Sequence, residues 1–225
     1  MNQPRLAAAC LGMMCTLALT GCQLWPWQDN DRTSIITPAM RVASIREMGA
    51  RARDASSADQ LTMCEELAQQ IRTEPDPIVR RAIQESIAKF DAPLASSVLL
   101  AGLNDDDRDV RTTCCRLLSK RQDPAAVAPL CRIVGADADM EVRMAAIDAL
   151  GKFKTTEAQV GLAAAIKDRN PALQYAGVKA LKAASGQDLG NDVEAWRQYA
   201  ETLTPASPIG ANTNLARTPG DQAVR

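Results

Sequence analysis

The side chains able to do chemistry are few, and most catalytic arrangements are out of their reach. The 225-residue chain has seven cysteines and no histidine. Without imidazole it lacks the usual acid/base group near neutral pH and the commonest metal ligand. Ser-His-Asp and Cys-His catalysis go with it. No two cysteines stand at Cys-x-x-Cys spacing, so neither a redox motif nor a zinc knuckle is supported. The densest acidic cluster, Asp105-Asp106-Asp107 with Asp109, lacks the glycine and terminal glutamate of a calcium loop. It reads as a solvated turn with a helix cap, or as a weak cation site. Arg80, Arg111 and Arg143 recur at near-constant spacing. Such a row could meet an acidic partner, or each arginine could be held by an aspartate of the neighbouring segment. No carboxylate pair, nucleophile elbow or phosphate loop is present, so no catalytic residue, metal site, cofactor or small-molecule substrate is expected. Lys+Arg 26 against Asp+Glu 27 leaves a net charge of −1. That balance carries no basic footprint for nucleic acid.

One cysteine stands in a different context. Arg5 precedes an apolar run over residues 6–20, LAAACLGMMCTLALT. The run is as long as a signal-peptide core and short for a membrane span. Leu19-Thr20-Gly21-Cys22 follows it, and this LTGC resembles the lipobox of bacterial lipoproteins. The resemblance implies cleavage before Cys22, a thioether-linked lipid on its sulfur and an acyl chain, such as palmitate, on its amine. Each buried methylene would contribute ~0.8 kcal/mol to anchoring. By the sorting rule of that family in enterobacteria, the resemblance also implies, from Gln23 rather than Asp in the next position, the periplasmic face of the outer membrane over the inner membrane of the cell envelope. An ordinary secretory peptide and a retained helix are the alternatives. Trp25-Pro26-Trp27 either rests among lipid headgroups or forms a short stiff tether. Cleavage would remove Cys10 and Cys15. It would leave Cys64, Cys114, Cys115 and Cys131 either as small buried hydrophobes or with Cys114 or Cys115 paired to Cys131.

The elements that must position the arginines come from a repeat. Residues 76–90, 107–121, 139–153 and 170–184 align without gaps on Val79, Val110, Val142 and Leu173, at intervals of 31, 32 and 31. Counting from that position, apolar or small residues fall at +3, +4, +7 and +8, the face of a helix. Three residues before each anchor stand Asp76, Asp107, Asp139 and Asn170, side chains suited to capping a helix N-terminus. Pro77 and Pro171 occupy the first helical position, where a missing N–H costs nothing. Shorter helices at 94–103, 125–134 and 157–166 share Leu99, Leu130 and Leu162. A looser first copy starts at Thr37, with Met40, Ala43, Ile45 and Met48 expected inward. A loop over 50–59 and a partner helix over 61–71 follow it. A period in this range predicts a solenoid, each unit burying its apolar face against its neighbours.

The pattern carried by Asp76-Pro77-Ile78-Val79-Arg80 and by residues 141–150, EVRMAAIDAL, resembles the short HEAT-like repeats also found in phycobilisome lyases. That resemblance implies an all-α fold, a short right-handed α-solenoid of HEAT-like helix pairs over about 37–185. It also implies that the acidic residue caps the second helix while the arginine ladders between units. Arg41 keeps the arginine position and Gln174 departs from it, which suggests that the array is ending. No lyase activity is carried over, because no cysteine- or histidine-based chromophore site maps here and fold alone implies no chemistry. Asn191 and Glu194 fit a capping box for a closing helix over 186–203, in which Trp196 covers the last repeat or serves as a partner anchor. The organisation expected is a leader over 1–21, a tether over 22–36, the array, the closing helix and a disordered tail over 204–225. The function expected is a non-enzymatic, lipid-anchored envelope scaffold that binds another protein. A spacer without a discrete ligand is the alternative, and an enzyme the remotest.

Overall fold

A computed structural model describes residues 36–203. Cys22, the leader, the tether up to residue 35 and the tail lie outside the described residues. The array belongs to one compact unit that begins at Thr37. The elements are α1 (Pro38–Arg51), α2 (Ser57–Gln70), α3 (Pro77–Ile87), α4 (Pro93–Gly102) and α5 (Arg108–Arg121). A 3-10 turn (Pro124–Ala126) then leads into α6 (Val127–Ala136), followed by α7 (Met140–Leu150), α8 (Thr156–Ile166), α9 (Pro171–Ser185) and α10 (Val193–Thr202). No strand occurs among the described residues. The fold is an all-α repeat solenoid.

Two layers follow from the period. The second helices α1, α3, α5, α7 and α9 pack in series, each on the next. The first helices α2, α4, α6 and α8 form the other layer. The repeat anchors Val79, Val110 and Val142 are fully buried, as are Leu99, Leu130 and Leu162. Burying each such side chain contributes about 1.5–3 kcal/mol. With aromatics at 3% of the chain, the core is built from many small contacts between helices.

The four caps stand where the spacing placed them. Each accepts from the backbone N–H two residues on: Asp76 from Ile78 at 2.9 Å, Asp107 from Asp109 at 3.0 Å, Asp139 from Glu141 at 2.8 Å and Asn170 from Ala172 at 2.9 Å. These bonds satisfy donors that the helix leaves open at its start.

Three expectations are corrected at the ends of the array. In α1 the buried residues are Val42, Ile45 and Gly49, while Met40 and Ala43 face solvent and Met48 is half-buried. The face of α1 is set by close packing on α3. A Cβ on Gly49 would fall 2.7 Å from the Cβ of Ser86, and the Ser86 hydroxyl donates to the Ile45 carbonyl at 3.0 Å. The first loop is shorter than 50–59, because α1 runs to Arg51 and α2 starts at Ser57 behind a Ser56 cap. The closing helix is capped by Asp192, which accepts from the Glu194 N–H at 2.9 Å; Asn191 lies one residue outside. Glu194 therefore does not complete a capping box. Its carboxylate turns to Arg197, its helical neighbour at i+3.

Candidate functional site

The arginine row is the most organised polar feature, and it faces into the stack. Arg80 donates from Nε and Nη2 to both carboxylate oxygens of Asp105, at 2.9 and 2.7 Å. Arg111 holds Asp137 in the same bidentate way at 2.9 and 3.0 Å. Arg143 pairs with Asp168. In each case the acidic partner belongs to the turn before the next second helix. The remaining Nη1 of Arg80 donates to the carbonyls of Pro75 at 2.9 Å and Glu74 at 3.3 Å. That of Arg111 reaches Asp105 at 2.9 Å and Asp106 at 3.1 Å. The paired side chains are between 9% and 19% exposed. Paired, fork-to-fork guanidinium contacts of this kind are strong because they are charge-assisted and held in one geometry.

The acidic partners were not singled out by sequence reasoning as a repeat position. They stand two residues before each cap: Glu74-x-Asp76, Asp105-x-Asp107, Asp137-x-Asp139 and Asp168-x-Asn170. Besides binding arginine, each accepts from the backbone N–H of the cap residue, at 3.0, 2.9, 2.8 and 2.7 Å in that order. One carboxylate thus closes a turn and ties two units together. The recurrence of an acid two residues before each cap was the signal that could have found them. Burial alone would raise the Asp105 carboxyl, but the Arg80 and Asp107 hydrogen bonds outweigh it and hold it below the usual range. Asp168 is also lowered, by the Asn170 N–H and then by Arg143.

At the two ends the ladder changes. Arg41 pairs with Glu74 at 3.1 Å. Gln174 keeps only the backward half of the interaction, donating to the Asp168 carbonyl six residues earlier at 2.7 Å. The array closes instead on Trp196, which is fully buried and donates its indole N–H to the Gly190 carbonyl at 2.9 Å. Tyr199 stacks edge-on against it at 5.7 Å, and its hydroxyl meets Gln159 of α8 at 3.1 Å.

The acidic cluster of the sequence is thereby divided. Asp105 serves the ladder, Asp107 caps α5, and Asp109 lies 3.9 Å from Arg81. The four cysteines of the array are free. Cys64, Cys114 and Cys115 are buried, and burial raises all three thiols, Cys115 to about 12. Cys131 is half-buried, pushed up to about 11 by burial and then by Glu157. Cys131 packs on Gly161, where a Cβ would come within 2.1 Å of its sulfur.

That contact explains an irregularity in the first-helix layer. α6 and α8 pack closely, whereas α4 and α6 stand apart. Counting from the shared leucines, Cys131 and Gly161 correspond to Leu100 and Pro129 in the earlier pair. The bulkier residues hold α4 and α6 open and line a groove of about 860 Å³ with Leu103, Ile133 and Ala136. The second-helix layer is different again. It turns Ile78, Met140 and Tyr175 to solvent, at 56%, 44% and 64% exposure.

Residues 64–151 match the family of HEAT repeats. The chain therefore carries a HEAT-like repeat region, and the same packing of second helices continues through α9. No curated protein matches the chain.

Proposed function

We propose that the chain is a lipid-anchored, non-enzymatic scaffold of the bacterial cell envelope whose array binds another protein through the outer face of its second helices. The observation that carries the binding half is the exposure of Ile78, Met140 and Tyr175 on that face, while the ladder arginines are engaged within the stack. Large side chains with an apolar body, Tyr and Met among them, are the residues interfaces favour. The anchoring half rests on Leu19-Thr20-Gly21-Cys22 behind its apolar run. Among the described residues no helix is long and apolar enough to cross a membrane.

Two measurements test the two halves separately. Radiolabelled palmitate should enter the full-length chain and be lost in Cys22→Ala; label that persists there sinks the anchor. A photo-crosslinking residue placed at Tyr175 in living cells should give one discrete adduct. The same residue at Ala128, exposed on α6 in the other layer, should give none. Equal adducts from both positions, or none from either, would remove the binding face. In the second case the self-contained ladder favours the remaining reading, a membrane-linked spacer.

A further inference from the structure

The outer face of the second helices carries a second row, of lysines. Lys89, Lys120 and Lys152 stand at the same repeat position, Lys120 in the last turn of α5 and Lys89 and Lys152 two residues beyond the ends of α3 and α7, and all three are exposed. The residue after each is anchored inward. Phe90 and Phe153 are buried, and Arg121 donates to the carbonyls of Ala88 at 3.1 Å and Phe90 at 3.0 Å. With its neighbour fixed in the stack, each lysine is directed outward once per unit. Four residues earlier on the same helices stand Glu85, Arg116 and Asp148, and Lys179 takes that position on α9. Glu85 is opposed by Arg46 at 3.9 Å. Among the described residues the row therefore remains a net positive strip, in contrast to the neutralised arginine ladder.

We infer that this strip receives an acidic segment of a partner protein, running extended across the second helices. The inference rests on the protein-binding reading above. Packed helices lie about 8–10 Å apart, so successive lysines rise at about that interval. A chain in the extended polyproline-II form turns once in three residues and advances about 3.1 Å per residue, so a carboxylate at every third residue returns to the same face about 9 Å on and keeps step with the row. Charge complementarity on an exposed face sets encounter and register. The lysines' favourable position at helix C-termini explains their local tolerance but not their alignment with Arg116 and Lys179.

The test uses the full-length chain in detergent and two fluorescent peptides of equal composition. One carries glutamate at every third position among serine and glycine; the other carries its glutamates in one block. Anisotropy at low ionic strength should show the spaced peptide binding more tightly, and affinity should fall as salt is raised. Lys89→Gln, Lys120→Gln and Lys152→Gln together should weaken it about tenfold, on the scale of three surface ion pairs. Lys167→Gln with Arg169→Gln, at exposed positions in the turn before α9, should change nothing. Thermal unfolding by circular dichroism checks that the triple variant is folded, and the three single variants supply the same reading if it is not. Equal binding of both peptides, or unchanged binding by the lysine variants, overturns the inference. So does recruitment of the wild-type chain to phosphatidylglycerol vesicles through these lysines when neither peptide binds. A Tyr175 adduct obtained alongside either result would leave the protein-binding reading standing and remove only the acidic segment.

Discussion

At the scale of residues, the ladder carboxylates matter more than the arginines that first draw the eye. Asp137 accepts two guanidinium bonds from Arg111 and one from the Asp139 N–H. Asp137→Ala leaves a largely buried guanidinium unpaired and should lower stability by about 3 kcal/mol, read as a drop in the urea midpoint. The lowered carboxyls of Asp105, Asp139 and Asp168 also fix the acid limb of stability. Their folded pKa values lie below the unfolded ones, so their contribution is present above about pH 4 and lost as pH falls through the lowered values. The buried thiols act in the opposite direction. Their folded values are raised, so stability is present below about pH 8.5 and declines toward the folded value, about 12 for Cys115. Urea midpoints should plateau between those limits, and Cys115→Ala should soften the alkaline decline. The same burial predicts that iodoacetamide labels Cys131 ahead of Cys64, Cys114 and Cys115 in the native chain, as peptide mapping would show; equal labelling of all four would contradict the packing.

Elements are kept in register by small residues at a few close approaches. Gly161 admits the Cys131 sulfur, and with it the whole of α6 against α8. Gly161→Ala should cost about 1–3 kcal/mol through overpacking. Adding Cys131→Ala should recover most of that loss, because the two substitutions act on one contact. Thermal melts of the two single variants and the double variant decide this; additive losses would mean that the glycine serves something else. The earlier pair, Leu100 and Pro129, shows the opposite choice and leaves the groove open. The first-helix layer is thus regular in sequence period yet irregular in spacing.

Across the whole array, stability depends on closing its ends, since an inner unit is covered on two sides and a terminal one on a single side. Trp196 on α10 covers α8 and α9, and it is the largest fully buried side chain among the described residues. Trp196→Ala should cost about 3–5 kcal/mol. Because repeats are coupled mainly to neighbours, amide exchange should accelerate first in α8 and α9 and least in α3. Uniform acceleration would show that the array unfolds as one block.

Most of this architecture could be read along the chain because its causes are local. A cap needs a short polar side chain before a helix, a buried face needs apolar residues at +3, +4, +7 and +8, and a stack needs both to recur. Asp76, Asp107, Asp139 and Asn170, with Val79, Val110, Val142 and Leu173, meet those conditions within single segments. What only the tertiary structure decided depends on groups that meet across units. The 25- or 26-residue steps from Arg80, Arg111 and Arg143 to Asp105, Asp137 and Asp168 are of that kind, as are the turn of α1 onto Ser86 and the separation of α4 from α6. In each, the deciding contact lies between helices, where one residue's size or charge is judged against a neighbour distant in sequence. For the same reason the arginine row could be seen as a pattern, while its inward direction, and the outward direction of the lysines toward the opposite ends of the same helices, came from packing.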